Sequence, residues 1–401
     1  MGIGGIGVSA LAQYYLAKGH KISGSDLAAS EITEDLKKKG ANITIGKNTI
    51  NRKADLVIYS PAVPLPNVKR QLSDVKTLSY PEALGELTKK YFTIAISGTH
   101  GKSTTTAMLG LLLVKAGLDP TVIVGTKVRE FGNTNCRIGK SKYLIIEACE
   151  HFASFLHYWP KIIVVTGLEP DHLDYYKNIG NLKKAFREFI GHLPQDGLLL
   201  DMRRFSHKAA DTDKLKKILK VPGDHNVANA LASLAVARAL RVPDKISFKA
   251  LSEYKGSWRR FEIVSQKPLI VSDYGHHPTE VKLTLKAARE KWPAKEIWCV
   301  YQPHQYQRTY YLFDDFVTVF KKAPIDRIII TDVFDVAGRE EKKIKQRIDS
   351  KKIVEKVNKE NVIYLPQKKI INYLKSNPSS GRVLIFMGAG DIYRLVDRIS
   401  C

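Results

Sequence analysis

The feature that most constrains this chain is the repetition of one unit: a nearly continuous apolar run, a polar or glycine-rich turn, then an amphipathic helix. The runs are ADLVIYS, YFTIAISG, KYLIIEA, KIIVVTG, PLIVSDY, EIWCVYQ, DRIIITD, NVIYLP and RVLIFMG. Continuous rather than alternating apolarity is what parallel strands covered on both faces need. Segments between them, such as TTTAMLGLLLVKAG and NVANALASLAVARAL, carry helical periodicity. Strands alternating with helices imply an α/β architecture with mainly parallel sheets. Nine strands crowd a single sheet, so the 401 residues divide into several doubly wound domains.

Composition narrows the class. Hydrophobic residues make up 44% of the chain and charged residues 26%, the balance of a protein that buries real cores, which excludes a disordered tail, a collagen and a disulfide miniprotein. No apolar run approaches the ~20 residues a membrane-spanning helix needs, so no membrane partner is expected. No basic-then-apolar leader with a small-residue cleavage site suggests export. Cys136, Cys149, Cys299 and Cys401 stand far apart without a CxxC pair, which reads as reduced thiols of a cytoplasmic protein rather than a zinc site. Lys+Arg 64 against Asp+Glu 40 gives a net charge of +24, a balance that favours anionic partners. Yet the densest stretches, KLKKILK (214–220) and REEKKIKQRIDSKK (339–352), carry apolar residues at helical intervals without interleaved aromatics. They read as solvated helices, and no nucleic-acid partner is expected.

One irregularity stands at the start. The chain opens MGIGGIGVSALAQYYLAKGHKISGSD, a glycine turn leading straight into a helix, whereas such a turn ordinarily follows a strand. Either the first strand lies upstream or this domain runs one strand short; the upstream segment is the expectation.

Polar residues gather where the apolar runs end, which is where open α/β sheets bind ligands. Gly98-Thr99-His100-Gly101-Lys102-Ser103 follows YFTIAIS and opens a helix. Its backbone N–H groups suit phosphate oxygens, Lys102 the β/γ-phosphates, and the Ser103 hydroxyl a Mg²⁺ ion. Ile96 stands where the first glycine of the longer phosphate-loop spacing would be. Gly2-Ile3-Gly4-Gly5-Ile6-Gly7 with Asp26 downstream is a second phosphate-loop candidate, with close helix–strand packing as the plain alternative. Glu147 and Glu150 lie at the end of KYLIIEA, and Asp171, His172 and Asp174 follow KIIVVTGL. Hard oxygens suit Mg²⁺; helix capping is the alternative for Asp171 and Asp174. Asp224, His225, Asn226 and Asn229 begin an alanine-rich helix, as caps or as ligand contacts. Trp258-Arg259-Arg260-Phe261-Glu262, Asp273-Tyr274-Gly275-His276-His277 and the run from Gln302 to Arg308 form a basic, histidine-rich set. That set suits a carboxylate or a transferring phosphoryl group.

The strings GIGGIGVS, GTHGKSTTTAM, EPDHLD, PGDHNVANALA, RRFE, DYGHHPTEV and QPHQYQRT, in this order and spread over the whole chain, resemble the Mur ligase family. Within it they are most similar to the members that add L-alanine to UDP-N-acetylmuramate. The resemblance implies three α/β domains: a Rossmann-like UDP-sugar domain (1–89, its first strand missing), a central phosphate-loop ATP domain (90–253) and a C-terminal Rossmann-like amino-acid domain (254–401). It implies ATP and Mg²⁺ as cofactors, UDP-N-acetylmuramate and L-alanine as substrates, and a cytoplasmic monomer or weak homodimer. The implied reaction passes through an acyl phosphate and belongs to peptidoglycan precursor synthesis. By the same resemblance Lys102, His172, Arg260, His276 and Arg308 are catalytic. Gly98, Thr99, His100, Gly101, Lys102, Ser103, Thr104, His225, Asn226, Asn229 and Asp273 then hold ATP. Gly4, Gly5, Ile6, Gly7, Asp26 and Ser60 hold the UDP-sugar, and Tyr274, His276 and Arg308 the amino acid. Ser103, Glu147 and His172 ligate metal.

Some positions depart from the family pattern. Gly167 replaces an asparagine, Glu147-Ala148-Cys149-Glu150-His151 replaces an EADES-like string, and the paired aspartates before Tyr274 are reduced to Ser272-Asp273. Gln305 stands for an arginine, and the stretch between Leu200 and Val221 is short. The chain reads as a compact ligase. The competing readings are a sister ligase, such as a murein-peptide recycling enzyme, separable by acceptor profile, and a non-catalytic basic paralogue, separable by salt-dependent nucleic-acid binding.

Overall fold

All nine apolar runs are strands in the computed structural model, which describes residues 1–51, 53–64, 75–335, 342–378 and 381–399. The chain divides into two compact units. Unit 1 comprises Met1–Leu168, Gly180–Ile218 and Asn229–Tyr254; unit 2 comprises Glu169–Ile179, Leu219–Ala228 and Lys255–Cys401.

Unit 1 is organised around a six-stranded sheet in the order Leu198–Asp201, Ile162–Val165, Phe92–Ser97, Tyr143–Glu147, Thr121–Val128, Thr134–Arg137. The pairs are parallel except the last, which is antiparallel. The central strands are continuous apolar runs because both faces are covered: Ile94, Ala95, Ile96, Ile145 and Ile163 are wholly buried. Helix Lys102–Lys115 is buried from Ser103 to Leu113, and helix Asp244–Glu253 packs on it. Among the described residues, 1–89 carry two separate two-stranded parallel sheets, Ser23–Asp26 with Asn42–Ile45 and Leu56–Tyr59 with Lys76–Ser79. Three of these short strands lack a continuous apolar run, which is why only Leu56–Tyr59 of the four is legible as a strand.

Helix Ile6–Ala17 is tied to the larger sheet by side chains. Asn135 Nδ2 donates to the Ile6 carbonyl (2.5 Å) and Ser9 Oγ (2.9 Å), and Gln13 Nε2 donates to Asn135 Oδ1 (2.6 Å). Lys127, with only 8% of its side chain exposed, pairs with Glu31 at 2.7 Å.

Unit 2 holds the second six-stranded sheet, in the order Glu262–Gln266, Leu269–Asp273, Val383–Met387, Ile297–Tyr301, Arg327–Ile330, Val362–Tyr364. Its first pair is antiparallel and the rest parallel. Two apolar clusters cover its faces, one around Val271, Cys299 and Ile385, the other around Ile270, Val300 and Phe386. Both sheets therefore present the polar ends of buried parallel strands to the residues singled out above.

The lysine-rich stretches need adjustment. KLKKILK closes helix Ala209–Ile218, with Leu215 wholly buried. From 342 onward REEKKIKQRIDSKK forms two helices, Lys342–Lys345 and Ser350–Val357, because Asp349 caps the second by accepting the Lys352 N–H at 3.0 Å. Cys136, Cys149 and Cys299 are free thiols; Cys401 lies outside the described residues.

Candidate functional site

Strand Phe92–Ser97 ends in Ser97, and the chain turns through Gly98–Gly101 into helix Lys102–Lys115. Two glycines make the turn possible. Gly98 has φ +121°, and a Cβ there would sit 2.3 Å from Thr166 Oγ1; Gly101 has φ +80°, and a Cβ would sit 2.2 Å from Asn229 Oδ1. Thr166 Oγ1 donates to the His100 carbonyl (2.5 Å), and the Thr99 N–H donates to the Gly167 carbonyl (3.0 Å). The neighbouring strand end thus fixes the loop.

Lys102 Nζ folds back over the loop, donating to the carbonyls of Gly98 (2.6 Å) and Thr99 (3.2 Å) and to Glu150 (3.0 and 3.2 Å). The Glu150 side chain is 1% exposed. Burial by itself would lower the Lys102 pKa, but the negative charge of Glu150 outweighs it and holds the ammonium above its ordinary value. Glu150, read from sequence with Glu147 as a metal carboxylate, is the partner of Lys102. Glu147 takes the Gly125 N–H on Oε1 at 2.6 Å, and a side chain at 125 would meet its Oε2 at 2.9 Å. Ser103 and Thr104 are buried in the first turn of the helix. Asn229 lies beneath the loop, its Oδ1 accepting from Thr105 Oγ1 at 3.3 Å.

In the N-terminal part of unit 1, the Gly4 N–H donates to Asp26 Oδ2 at 2.8 Å. Gly7 packs where a Cβ would come within 2.7 Å of the Tyr80 ring. Gly5 is the N-cap of helix Ile6–Ala17 without a side-chain cap. Ser60 Oγ accepts from Ala62 N (3.3 Å), and the Ser60 N–H donates to the Met1 carbonyl (3.0 Å).

Unit 2 gathers three stretches distant in sequence. Arg308 donates through Nε and Nη2 to Asp171 Oδ1, both at 3.2 Å, and its Nη1 lies 3.3 Å from His304 Nδ1. Asp171 and Arg308 are each 7% exposed at the side chain. Burial would raise the Asp171 pKa, yet the charges of Arg308, His172, His276 and His277 hold it well below the usual carboxylate value. His172, at φ +52°, caps the short helix Leu173–Tyr176 without a side-chain bond, and its ring nitrogen lies 3.6 Å from Asp171. Asp171 therefore does not cap a helix; the side chain of Asp174 lies outside the described residues. Glu169 accepts from Thr279 Oγ1 (2.6 Å), and His277 Nε2 meets the Pro170 carbonyl (3.2 Å), which locks 169–172 onto 276–280.

Around this pair, His276 Nδ1 lies 3.1 Å from the Tyr274 carbonyl and 3.4 Å from Glu280. Burial pushes its pKa down to about 4. His225 is likewise pushed down to about 4 by burial, and its Nδ1 is buried without a hydrogen-bond partner. Asn226 donates to the Pro222 carbonyl at 2.7 Å. The Asp273 carboxyl accepts the N–H groups of Phe261 (2.8 Å) and Gly275 (2.7 Å), and burial raises its pKa. Arg260 lies 4.9 Å over the Tyr274 ring. Its neighbour Arg259 is 4% exposed, packs over Tyr274 and Tyr393, and donates to the Gly388 and Gly390 carbonyls. Gln305, at φ +71°, is buried at the start of helix Tyr306–Tyr311.

The structure thus places Lys102, Ser103, Thr104, Glu147 and Asn229 in unit 1, and His172, His225, Asn226, Arg260, Asp273, Tyr274, His276 and Arg308 in unit 2. Sequence reasoning missed Thr166, the pairing of Asp171 with Arg308, and the structural part of Arg259. No local signal distinguishes Arg259 from Arg260, and a pair 137 residues apart leaves none.

Comparison with known proteins follows this geometry. Residues 1–92 match the Mur ligase family catalytic domain, 96–203 the Mur ligase middle domain, and 259–390 the Mur ligase glutamate ligase domain. The chain is 41% identical to a UDP-N-acetylmuramate–L-alanine ligase of Acetivibrio thermocellus over 445 aligned positions, covering 98% of this chain and 93% of that protein. It is 38% identical to the enzyme of the same name from Clostridium novyi, covering 98% and 95%. An alignment longer than the chain itself means that the relative carries internal residues without a counterpart here. Among solved structures, the UDP-N-acetylmuramate–alanine ligase of Thermotoga maritima superposes with a TM-score of 0.81 at 26% identity, covering 99% of this chain and 97% of that one. A murein peptide ligase of Psychrobacter arcticus shares the fold, with a TM-score of 0.70 at 21% identity over 100% and 98% of the two chains.

Proposed function

The chain belongs to the Mur ligase family, and from that premise we propose the residues that carry its chemistry. The protein is an ATP-dependent ligase that joins L-alanine to the carboxylate of UDP-N-acetylmuramate in peptidoglycan precursor synthesis. The likeness that carries this conclusion runs through the whole chain, phosphate loop included.

A carboxylate resists attack by an amine until one of its oxygens becomes a leaving group. The γ-phosphoryl group of ATP passes to the muramyl carboxylate, giving an acyl phosphate and ADP. The L-alanine amine, once deprotonated, attacks the carbonyl carbon; the tetrahedral intermediate then expels phosphate and leaves the amide. In this reading the N–H groups of Gly98–Lys102 and the start of the following helix bind the phosphates. Lys102 exchanges Glu150 for the β/γ-phosphates and stabilises the charge that develops on transfer. Ser103 and Glu147 are hard oxygen donors that fit Mg²⁺ by chemistry, and His172 is proposed as a further ligand. Bound Mg²⁺ would supply Lewis-acid stabilisation of phosphoryl charge.

Residues 1–89 are assigned to the UDP-sugar, with Gly4, Gly5, Ile6, Gly7, Asp26 and Ser60 as contacts. Residues 90–253 are assigned to ATP, with His100, His225, Asn226, Asn229 and Asp273 contributing. Residues 254–401 are assigned to the amino acid, with Arg260, Tyr274, His276 and Arg308. No helix among the described residues is long and apolar enough to cross a membrane; a cytoplasmic monomer or weak homodimer that binds no nucleic acid is the accompanying proposal.

The deciding experiment is phosphate release from ATP with UDP-N-acetylmuramate, Mg²⁺ and a panel of amino acids. Release that requires both the sugar and L-alanine is expected. Release driven by another amino acid would keep the reaction and rewrite the acceptor, and release indifferent to the sugar would overturn the assignment.

A further inference from the structure

We infer that Tyr80 recognises the lactyl carboxylate of UDP-N-acetylmuramate, its hydroxyl donating a hydrogen bond to the carboxylate oxygen that is not phosphorylated; this rests on the proposed function. Tyr80 opens helix Tyr80–Thr88, and a capping box fixes its backbone there. Ser79 Oγ accepts the Glu82 N–H at 3.4 Å, and Glu82 Oε2 accepts the Ser79 N–H at 2.7 Å. The ring, partly buried, packs against the cluster of Ile3, Val8 and Leu36. Its far end lies on the first turn of helix Ile6–Ala17: a Cβ on Gly7 would meet Tyr80 Cζ at 2.7 Å and Cε1 at 2.9 Å. Glycine at position 7 therefore leaves room for the hydroxyl-bearing end of this ring, and that end sits beside the turn assigned to the UDP-sugar.

Glu147 and the Cys149 thiol lie within electrostatic reach of the same hydroxyl; with burial they push its pKa up, so it keeps its proton and serves as a donor. Among the described residues the Tyr80 hydroxyl makes no hydrogen bond. Glu147 does not take it, and its Oε1 accepts the Gly125 N–H at 2.6 Å. A donor without an acceptor thus lies between the turn assigned to the sugar and the carboxylate assigned to the metal. The reaction defines what has to reach that place. The sugar enters from the glycine turn, and its carboxylate must meet the γ-phosphoryl group on the Glu147 side. One carboxylate oxygen forms the bond to phosphorus as the bond to ADP breaks, while the other accepts from Tyr80. The same donor then falls on the carbonyl oxygen of the acyl phosphate. A UDP-sugar lacking the lactyl group would leave the donor unpaired, which makes Tyr80 a specificity determinant.

The test compares the wild type with Tyr80→Phe, which keeps the ring against Gly7 and removes the oxygen alone. Calorimetric titration with UDP-N-acetylmuramate should show binding weakened about tenfold or more, the loss of one hydrogen bond to a charged group. UDP-N-acetylglucosamine, the same nucleotide sugar without the lactyl carboxylate, should bind both proteins within about twofold when followed by competition. KM for ATP should also hold within about twofold, and Tm should move by less than about 1 °C. Equal affinity of the two proteins for UDP-N-acetylmuramate would overturn the inference. Equal weakening toward both UDP-sugars would overturn it too, by moving the hydroxyl to the diphosphate or the sugar ring. A Tm lowered by about 4 °C or more would reduce Tyr80 to a packing residue. A wild type that binds neither UDP-sugar would sink the functional reading and this inference together. A wild type and a Tyr80→Phe variant that discriminate the two sugars equally well would sink the inference alone.

Discussion

Lys102 in unit 1 and Arg308 in unit 2 are both cations held against a buried acid, but they are held in different ways. Lys102 takes two carbonyls from its own loop and the carboxylate of Glu150, a partner supplied by the adjacent strand end. Arg308 depends on Asp171, from a segment 137 residues away, and on His304 four residues before it. The first arrangement is a loop that nearly builds itself; the second exists only after the C-terminal fold has gathered its parts. Removal should therefore hurt Lys102 chiefly in chemistry and Arg308 chiefly in architecture.

The largest expected effect sharpens the Lys102 side. Lys102→Ala should cut ligation by roughly 10²–10³-fold or more, as losing a preorganised charge at a transferring phosphoryl group does. It should also cost about 3 kcal/mol of stability, because it removes the cation paired with the buried Glu150 carboxylate. The double variant Lys102→Met with Glu150→Gln removes both charges and should recover most of the stability with none of the activity. Denaturation midpoints and phosphate release from the same preparations separate the two losses. Recovered turnover in the double variant would show that Lys102 does not face the phosphates.

The Arg308 side breaks through acid. Asp171 holds its proton less tightly when folded than when unfolded, because the surrounding cations more than offset burial. The stability its pairing contributes is complete above the unfolded value of 3.8 and drains as pH falls toward the lower folded one. His225 and His276 act earlier. Burial sets their folded pKa at about 4 against 6.5 unfolded, so the unfolded chain takes up protons first and stability declines between pH 6.5 and 4. Urea denaturation across pH 3–7.5 should then show two descending limbs. Asp171→Asn should erase the lower limb and cost about 3 kcal/mol at neutral pH by stranding Arg308. His276→Gln should flatten the upper limb in part. A neutral-pH stability unchanged by Asp171→Asn would remove Arg308 from the architectural role.

This contrast also accounts for how much the sequence disclosed. The strands were legible wherever both faces are covered, as at Phe92–Ser97 and Val383–Met387, because burial on two sides demands an unbroken apolar run. Ser23–Asp26 and Lys76–Ser79 were not, since short half-exposed polar strands carry no such signal. The phosphate loop was legible because its glycines, lysine and helix are contiguous. Glu150 was read as a metal ligand because spacing cannot tell which of two nearby carboxylates will turn toward a lysine. The Asp171–Arg308 pair was named residue by residue yet not as a pair, since nothing local links two stretches 137 residues apart.

The smallest effect expected concerns Gln305, where the family resemblance leads one to look for arginine. Gln305→Arg keeps an L side chain at φ +71°, so backbone strain is the same before and after. The change is electrostatic: a second guanidinium would stand three residues before Arg308, beside the Asp171 carboxylate that Arg308 already occupies. Without amino acid, the added cation would repel Arg308, and Tm should fall by about 1–2 °C, the equivalent of a fraction of a kcal/mol. With L-alanine present its carboxylate becomes a partner for the added guanidinium, and KM for L-alanine should drop about three- to tenfold, the net worth of about one hydrogen bond. The turnover number should stay within about twofold, because the contact would be the same in ground and transition states. Saturating L-alanine together with the UDP-sugar should also restore the lost Tm. A lower Tm with unchanged KM would mean that position 305 does not face the acceptor, and that Arg308, freed from Asp171, recognises the amino-acid carboxylate alone.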